Sequence, residues 1–286
     1  MKGVVKLETL EYIADVDREM TLKEYLPTLG LSVTLIKKIK RAGIFVDGVP
    51  CTVRAKIHNG SKIILNLPEE KSEGIPPMEI PLNIVYEDEW ILVLDKPKNM
   101  PTHPSKGNNL PTLANGVMAK FGGNFVFRAV NRLDRDTSGL VLIAKDEISA
   151  SKLSESMKKR LFTKKYLCRT DGVPSPREGR IDAPIRRLEE GNIKRIVAED
   201  GKLAVTEYKV IGETENGALC EVRLLTGRTH QIRVHMAHIG TPLHDDFLYG
   251  VECDGEYFLR CIEIGFPHPK SGDYVTFKAQ VGDENI

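Results

Sequence analysis

The chain has 286 residues, with 41 lysines and arginines against 40 aspartates and glutamates, so its formal net charge is +1. That balance excludes a uniformly basic nucleic-acid binder and an acidic solvating tail, and 41% apolar with 28% charged residues describes an ordinary globular protein rather than a disordered or collagenous one. Five isolated cysteines without a Cys-x-x-Cys pair exclude a disulfide framework and a thiolate zinc site, and point to a reducing cytoplasm.

Residues 1–19 carry Glu8, Glu11, Asp15 and Asp17 and lack a long apolar core, so they read as neither a signal nor a transit peptide. No apolar run approaches the roughly 20 residues of a membrane span. A soluble protein that does not engage membranes is expected. Charge is unevenly distributed beneath the neutral total: Tyr25 to Pro68 holds seven basic residues and one acid, Asp47, whereas Glu69 to Ile80 holds four acids and one lysine among Gly74, Pro76 and Pro77. From Pro81 onward the two signs balance. The pattern predicts a small basic domain over 1–68, an acidic Pro/Gly linker over 69–80 and a large neutral domain over 81–286.

In the small domain, Thr21-Leu22-Lys23-Glu24 has the form of a capping box and predicts a short helix stopped at Gly30. Ser32 predicts the cap of a second helix with Leu35, Ile36 and Ile39 inward, Lys37, Lys38, Lys40 and Arg41 outward, and an end at Gly43. Short strands follow around the turn pairs Asp47-Gly48 and Asn59-Gly60. The basic helix face is either simply solvated or a contact for backbone phosphates. This segment resembles the S-four-like RNA-binding domain, a helix-turn-helix followed by a small twisted sheet. It departs from that domain at Thr21-Leu22-Lys23, where Arg-Leu-Asp is usual. The resemblance implies RNA contacts at Lys37, Lys38, Lys40 and Arg41.

In the large domain two strand-like pieces flank Glu87-Asp88-Glu89 and lead into the proline-stiffened loop from Asp95 to Pro104. Further strands are expected at Leu140–Ala144, Lys165–Arg169, Ala204–Ile211, Ala218–Leu225 and Tyr274–Ala279, and helices near Leu113–Phe121, Ser149–Leu161 and Thr229–His238. Without regular strand-helix alternation, the expected class is α+β with a mixed, largely antiparallel sheet.

Two clusters carry chemistry. Asn131-Arg132-Leu133-Asp134-Arg135-Asp136-Thr137-Ser138-Gly139 precedes the apolar strand at Leu140, and is either a surface turn with local ion pairs or a functional loop held by its scaffold. Thr226 to Gly240 includes Arg228, His230, Arg233, His235 and His238, and no carboxylate occurs between Val222 and His244. Thr229 can cap its helix, and local positive potential there suits an anion. Surface polarity and a metal site formed with His244 are the alternatives, although His-Glu-x-x-His is absent.

Together these segments resemble the RluA-type family of RNA pseudouridine synthases. Asn131 to Lys145 matches its His-Arg-Leu-Asp-x-x-Thr-Ser-Gly motif except at the first position, and Thr226 to Pro242 matches its Thr-Gly-Arg-Thr-His-Gln-Ile-Arg motif. Leu94-Asp95-Lys96-Pro97 with His103-Pro104, and Lys164-Lys165-Tyr166, agree as well. The resemblance implies the pseudouridine synthase fold and isomerisation of uridine without metal or cofactor. Asp134 would be the essential nucleophile or sugar-stabilising carboxylate, Arg233 its charged partner, and Tyr166 the base-stacking residue. Arg132 and Arg228 would hold RNA, with Lys158, Lys159, Arg160, Lys164, Lys165, Arg186, Arg187, Lys194 and Arg195 as flanking phosphate contacts. Asn131 and Asp245 depart from the histidine and glycine usual there.

Three hypotheses follow: a monomeric synthase acting on ribosomal RNA ahead of transfer RNA, a non-catalytic RNA-binding assembly factor on the same fold, and a metal-dependent hydrolase using His230, His235, His238 and His244.

Overall fold

The computed structural model describes residues 9–67, 74–105, 111–251 and 256–280. The amino-terminal segment contains β1 (Thr9–Ile13), β2 (Met20–Thr21), α1 (Leu22–Tyr25), a 3-10 turn at Leu26–Leu29, α2 (Val33–Ala42), β3 (Ile44–Val46), β4 (Val49–Cys51), β5 (Lys56–Ile57) and β6 (Lys62–Asn66). The Glu24 carboxylate accepts from the Thr21 amide at 2.8 Å, and the Ser32 hydroxyl accepts from the Leu35 amide at 3.2 Å, so both expected helix starts form. Asp47 and Gly48 take left-handed backbone angles, φ 51° and 81°, which match a hairpin turn to the twist of β3 and β4. The strand order is β1-β6-β3-β4, and Leu22, Leu26, Leu35, Ile39, Ile63 and Leu65 form a core of their own beneath it.

Next come β7 (Ile84–Glu87), β8 (Ile91–Lys96), α3 (Leu113–Lys120), β9 (Arg128–Ala129), β10 (Ser138–Ala144), α4 (Glu147–Lys158), β11 (Thr163–Asp171), β12 (Glu178–Asp182), β13 (Ile185–Arg187) and β14 (Arg195–Val197). They are followed by β15 (Val205–Thr214), β16 (Gly217–Leu224), α5 (Gln231–His238), β17 (Leu259–Pro267) and β18 (Tyr274–Lys278). One large sheet runs β12-β15-β16-β11-β17-β10-β8-β7, with β18 beside β17 and β9 beside β10. Only the β10–β17 pairing is parallel among these ladders, so the sheet is mixed and largely antiparallel. Leu140 to Ala144 are fully buried, as a continuous apolar run requires when both faces of a strand are covered. Leu113 and Val117 of α3, Leu153 of α4 and Ile232 and Met236 of α5 share that core.

The central strand β17 escapes the hydrophobic pattern because Arg260, Glu263 and Pro267 interrupt it. Tertiary ion pairs hold those charges: Arg260 meets Asp95 at 2.6 Å and Glu263 meets Lys165 at 3.6 Å. Where β10 enters, Gly139 has φ 105° and lies so close to β17 that a Cβ would stand 2.2 Å from the Cys261 carbonyl oxygen. Gly139→Ala is therefore expected to cost at least about 2 kcal/mol, from both the clash and the left-handed backbone. Chemical denaturation reads this directly, and an alanine variant of unchanged stability would contradict the close approach.

Of the acidic stretch, residues 69–73 lie outside the described residues, as does Pro68 before it. The rest is strapped to α3 rather than free: the Asn115 side chain donates to the Pro76 carbonyl at 2.7 Å, and the Met78 amide donates to the Asn115 carbonyl at 3.1 Å. The small domain rests on α4, where the Ser32 amide donates to the Ser151 hydroxyl at 2.6 Å and Lys38 pairs with Glu147 at 2.6 Å. Among the described residues, no helix is long and apolar enough to cross a membrane.

Candidate active site

The loop from β9 to β10 carries Asp134 and is pinned at three places. The Thr102 hydroxyl donates to the Leu133 carbonyl at 2.8 Å and accepts from its amide at 3.2 Å. The fully buried Lys96 ammonium donates to the carbonyls of Pro97, Met100 and Arg135 at 2.9, 2.7 and 3.1 Å, tying the proline-stiffened loop to this one. Burial draws its pKa down to about 8 against the opposing pull of Asp136, Asp134 and Asp95. Asn131 donates to the Leu140 carbonyl at 3.0 Å and accepts from the Leu142 amide at 2.8 Å. The first-position departure from the motif thus fixes the loop to β10 through a neutral side chain. Held this way, the Asp134 carboxylate remains 32% exposed in a cleft of about 880 Å³, a volume suited to one extruded nucleotide.

The opposite wall is α5 and the turn before it. Gln231 organises that turn: its side-chain oxygen accepts from the Arg228 amide and the Thr226 hydroxyl, while its nitrogen donates to the Val205 carbonyl at 2.9 Å. The expected Thr229 cap does not form. His230 occupies the cap position in a left-handed conformation, φ 58°, and its ring instead bonds the Tyr249 hydroxyl at 2.8 Å. Its other ring nitrogen lies 3.8 Å from Asp134. Burial lowers the His230 pKa despite Asp134, so at neutral pH the ring faces that carboxylate uncharged.

Arg233 is almost fully buried, and its charge is held differently from the expected partnership with Asp134. Its guanidinium grips Asp246 through two hydrogen bonds of 2.7 and 2.6 Å, whereas its nearest approach to Asp134 is 4.0 Å, too long for a hydrogen bond. Asp246 is completely buried and also accepts from the Leu248 amide. Burial disfavours the Arg233 charge, but the Asp246 hydrogen bonds outweigh it and raise the pKa. Phe247, Tyr249 and Tyr257 surround the guanidinium at 5.3, 5.1 and 5.7 Å, fixing its orientation. Arg233 therefore faces Asp134 from a rigid mount without bonding to it. The other motif departure is also accounted for: Asp245 sits at φ 53°, a left-handed position where glycine is favoured and aspartate is tolerated.

Tyr166 projects from β11 into the same cleft and is 5% exposed. Burial, reinforced by Cys261 and Asp134, raises its pKa well above the ordinary value, so it is a neutral phenol at pH 7. Arg132 and Arg228 line the mouth. Arg132 is exposed and has no partner among the described residues, while the Arg228 side chain donates to the Leu203 carbonyl at 2.9 Å. A second depression of about 460 Å³, lined by Arg186, Arg187, Arg195 and Lys202, shares Gly227, Arg228 and Thr229 with the first. On α2, Lys37, Lys40 and Arg41 are exposed, but Lys38 turns to Glu147 and is a docking contact.

The histidines do not assemble a metal site. His235 is fully buried, bonded to Thr206 and the Ala183 carbonyl, and His244 bonds Asp171. Among the described residues, no three His, Cys, Asp or Glu side chains gather to hold an ion. What the motifs left invisible was the arrangement of Asp246, His230 and the aromatic cage. The signal lay in Thr226 and Gln231, whose side chains bond each other and the turn's backbone rather than the solvent.

The mixed sheet thus carries a partly exposed aspartate opposite a clamped arginine and a buried tyrosine in one cleft. A family model for RNA pseudouridylate synthase matches residues 90–238. The uncharacterized RNA pseudouridine synthase YlyB of Bacillus subtilis is 37% identical over 256 residues, covering 86% of this chain and 84% of that protein. The ribosomal large subunit pseudouridine synthase D of Zymomonas mobilis is 36% identical over 246 residues, covering 79% and 77%. Among solved structures, human RNA pseudouridylate synthase domain containing 1 superposes with a TM-score of 0.61 at 25% identity, covering 72% of this chain and 86% of that one. The chain belongs to the RNA pseudouridylate synthase family and is an RNA pseudouridine synthase, an isomerase.

Proposed function

We propose that the enzyme isomerises uridines of ribosomal RNA, with Asp134 as its essential carboxylate. The observation that carries this reading is the Asp134 side chain, partly exposed in the cleft and 4.0 Å from a guanidinium that Asp246 immobilises. A charged, accessible carboxylate of that kind can attack or stabilise the electron-deficient centre left when a glycosidic bond breaks. Tyr166 offers an aromatic face to the extruded base, which offsets lost stacking, and Arg132 stands free to fill the vacated place in the RNA. The exposed side chains of Phe247 and Ile193 at the cleft wall suit further base contacts.

The substrate assignment draws on the Zymomonas mobilis relative, whose name specifies the large ribosomal subunit. It also draws on local basic surfaces: Arg186, Arg187, Arg195 and Lys202 beside the cleft, and Lys37, Lys40 and Arg41 on α2. In this reading the amino-terminal domain is an S-four-like RNA anchor, and selectivity comes from RNA shape and the pocket rather than from net charge. The test is to treat ribosomal and transfer RNA from a strain lacking the gene with the protein and map pseudouridine chemically. New sites are expected in ribosomal RNA. New sites confined to transfer RNA would refute the substrate assignment, and none in either would refute the reading as a whole.

A further inference from the structure

Lys164 stands two residues before Tyr166 on β11, and the period of a strand sends both side chains to the same side, where they line the cleft. It is only 8% exposed, yet among the described residues it has no hydrogen-bond or ion-pair partner. Its position is unlike that of the other lysines nearby. Lys96 donates to three carbonyls, and Lys165 points to Glu263 at 3.6 Å. The titratable group felt by Lys164 is the Cys261 thiol, which burial pushes up to about 12 and so keeps neutral at pH 7. Burial accordingly lowers the Lys164 pKa with little to oppose it. Gly227 flanks the ammonium, and a Cβ there would stand 3.3 Å from Nζ. The bare glycine leaves that side open toward the turn that holds Arg228.

The Lys164 stem is covered while its ammonium stays unpaired on the wall of the cleft, so Lys164 can meet a charged group that enters there. Two parts of an RNA substrate could do so. Backbone phosphates travel along the rim, past the exposed Arg132 and Arg228. Lys164 instead shares a cleft wall with Tyr166, two residues along the same strand, and a neutral uracil stacked there would become anionic only during reaction.

We propose that Lys164 stabilises the uracil anion released when the C1′–N1 bond breaks, through one of its carbonyl oxygens. This rests on the site reading above. In the step, the C1′–N1 electron pair leaves with uracil while Asp134 supports C1′. The ring turns, C5 bonds to C1′, the proton on C5 departs and N1 takes one up, so the product is an isomer and no oxidant or co-reactant is consumed. A cation held ready where charge develops lowers the barrier without having to reorganise during the reaction.

The experiment uses the full chain and a short RNA spanning a mapped site, made with uridine or 5-fluorouridine at the target. Lys164→Met is expected to slow single-turnover conversion of uridine at least about 100-fold while leaving RNA affinity within about threefold. Cleavage of the C1′–N1 bond should be less impaired with 5-fluorouridine, because the more acidic base leaves as a more stable anion. Lys164→Arg should retain more activity than Lys164→Met. Weakened RNA binding with an intact rate at saturation would make Lys164 a phosphate contact and overturn the proposal. Equal deficits with both bases or an unchanged rate would overturn it as well. A wild-type protein that forms no pseudouridine would remove the site reading beneath it.

Discussion

Asp134→Asn is expected to reduce pseudouridine formation at least about 10⁴-fold, equivalent to roughly 5.5 kcal/mol of barrier, while the protein folds and binds RNA as before. Asparagine keeps the shape and removes the charge. The loop does not depend on that charge, since Thr102, Lys96 and Asn131 hold it through backbone groups of Leu133, Arg135, Leu140 and Leu142. Removing a carboxylate from an RNA-binding cleft also cannot weaken phosphate attraction. Single-turnover kinetics with saturating RNA, together with the dissociation constant, separate the two effects. A variant retaining a tenth of the wild-type rate would show that Asp134 is not the essential group.

Asp246→Ala should be the more damaging change to the molecule itself. It leaves the Arg233 guanidinium buried without its two hydrogen bonds, a situation that costs about 3–5 kcal/mol. For a chain of this size that corresponds to a fall of roughly 10 °C in melting temperature. Activity should fall too, because the guanidinium loses the mount that holds it 4.0 Å from Asp134. Replacing both partners by apolar residues, Arg233→Met with Asp246→Leu, should restore most of the stability and none of the activity, since it removes the unpaired charge and the field together. If Asp246→Ala costs less than about 1 kcal/mol, in the range of an exposed pair, the buried clamp is not what orders this wall. The half-exposed Lys38–Glu147 pair provides the contrast, and its loss should be barely measurable.

The arginine clamp also shows where reading the chain residue by residue stopped. Asp134, Tyr166 and Arg233 sit in motifs and were found from them. The pairing was not, because both Asp134 and Asp246 are available to a single arginine. Which one binds it depends on how the turn after α5 folds back: Asp246 lies in that turn, completely buried, and Asp134 approaches from another loop. Lys164 illustrates the same limit. By composition it joined a group of flanking cations, but strand alternation puts it on the cleft wall with Tyr166.

Local chemistry made the helix starts at Thr21 and Ser32, the Asp47-Gly48 turn and the apolar strand at Leu140 legible, because each is stabilised by groups within a few residues or by a one-residue conformational preference. The strand β17 was not legible, since its charges are tolerated through partners on β8, β11 and β18. By itself the sequence determined the family and the α+β class and singled out Asp134 as the candidate carboxylate, all written in short segments. Only the tertiary structure decided which groups surround that carboxylate and in what charge state. Burial and pairing between distant segments set those charges, and neither is a property of any one stretch of chain.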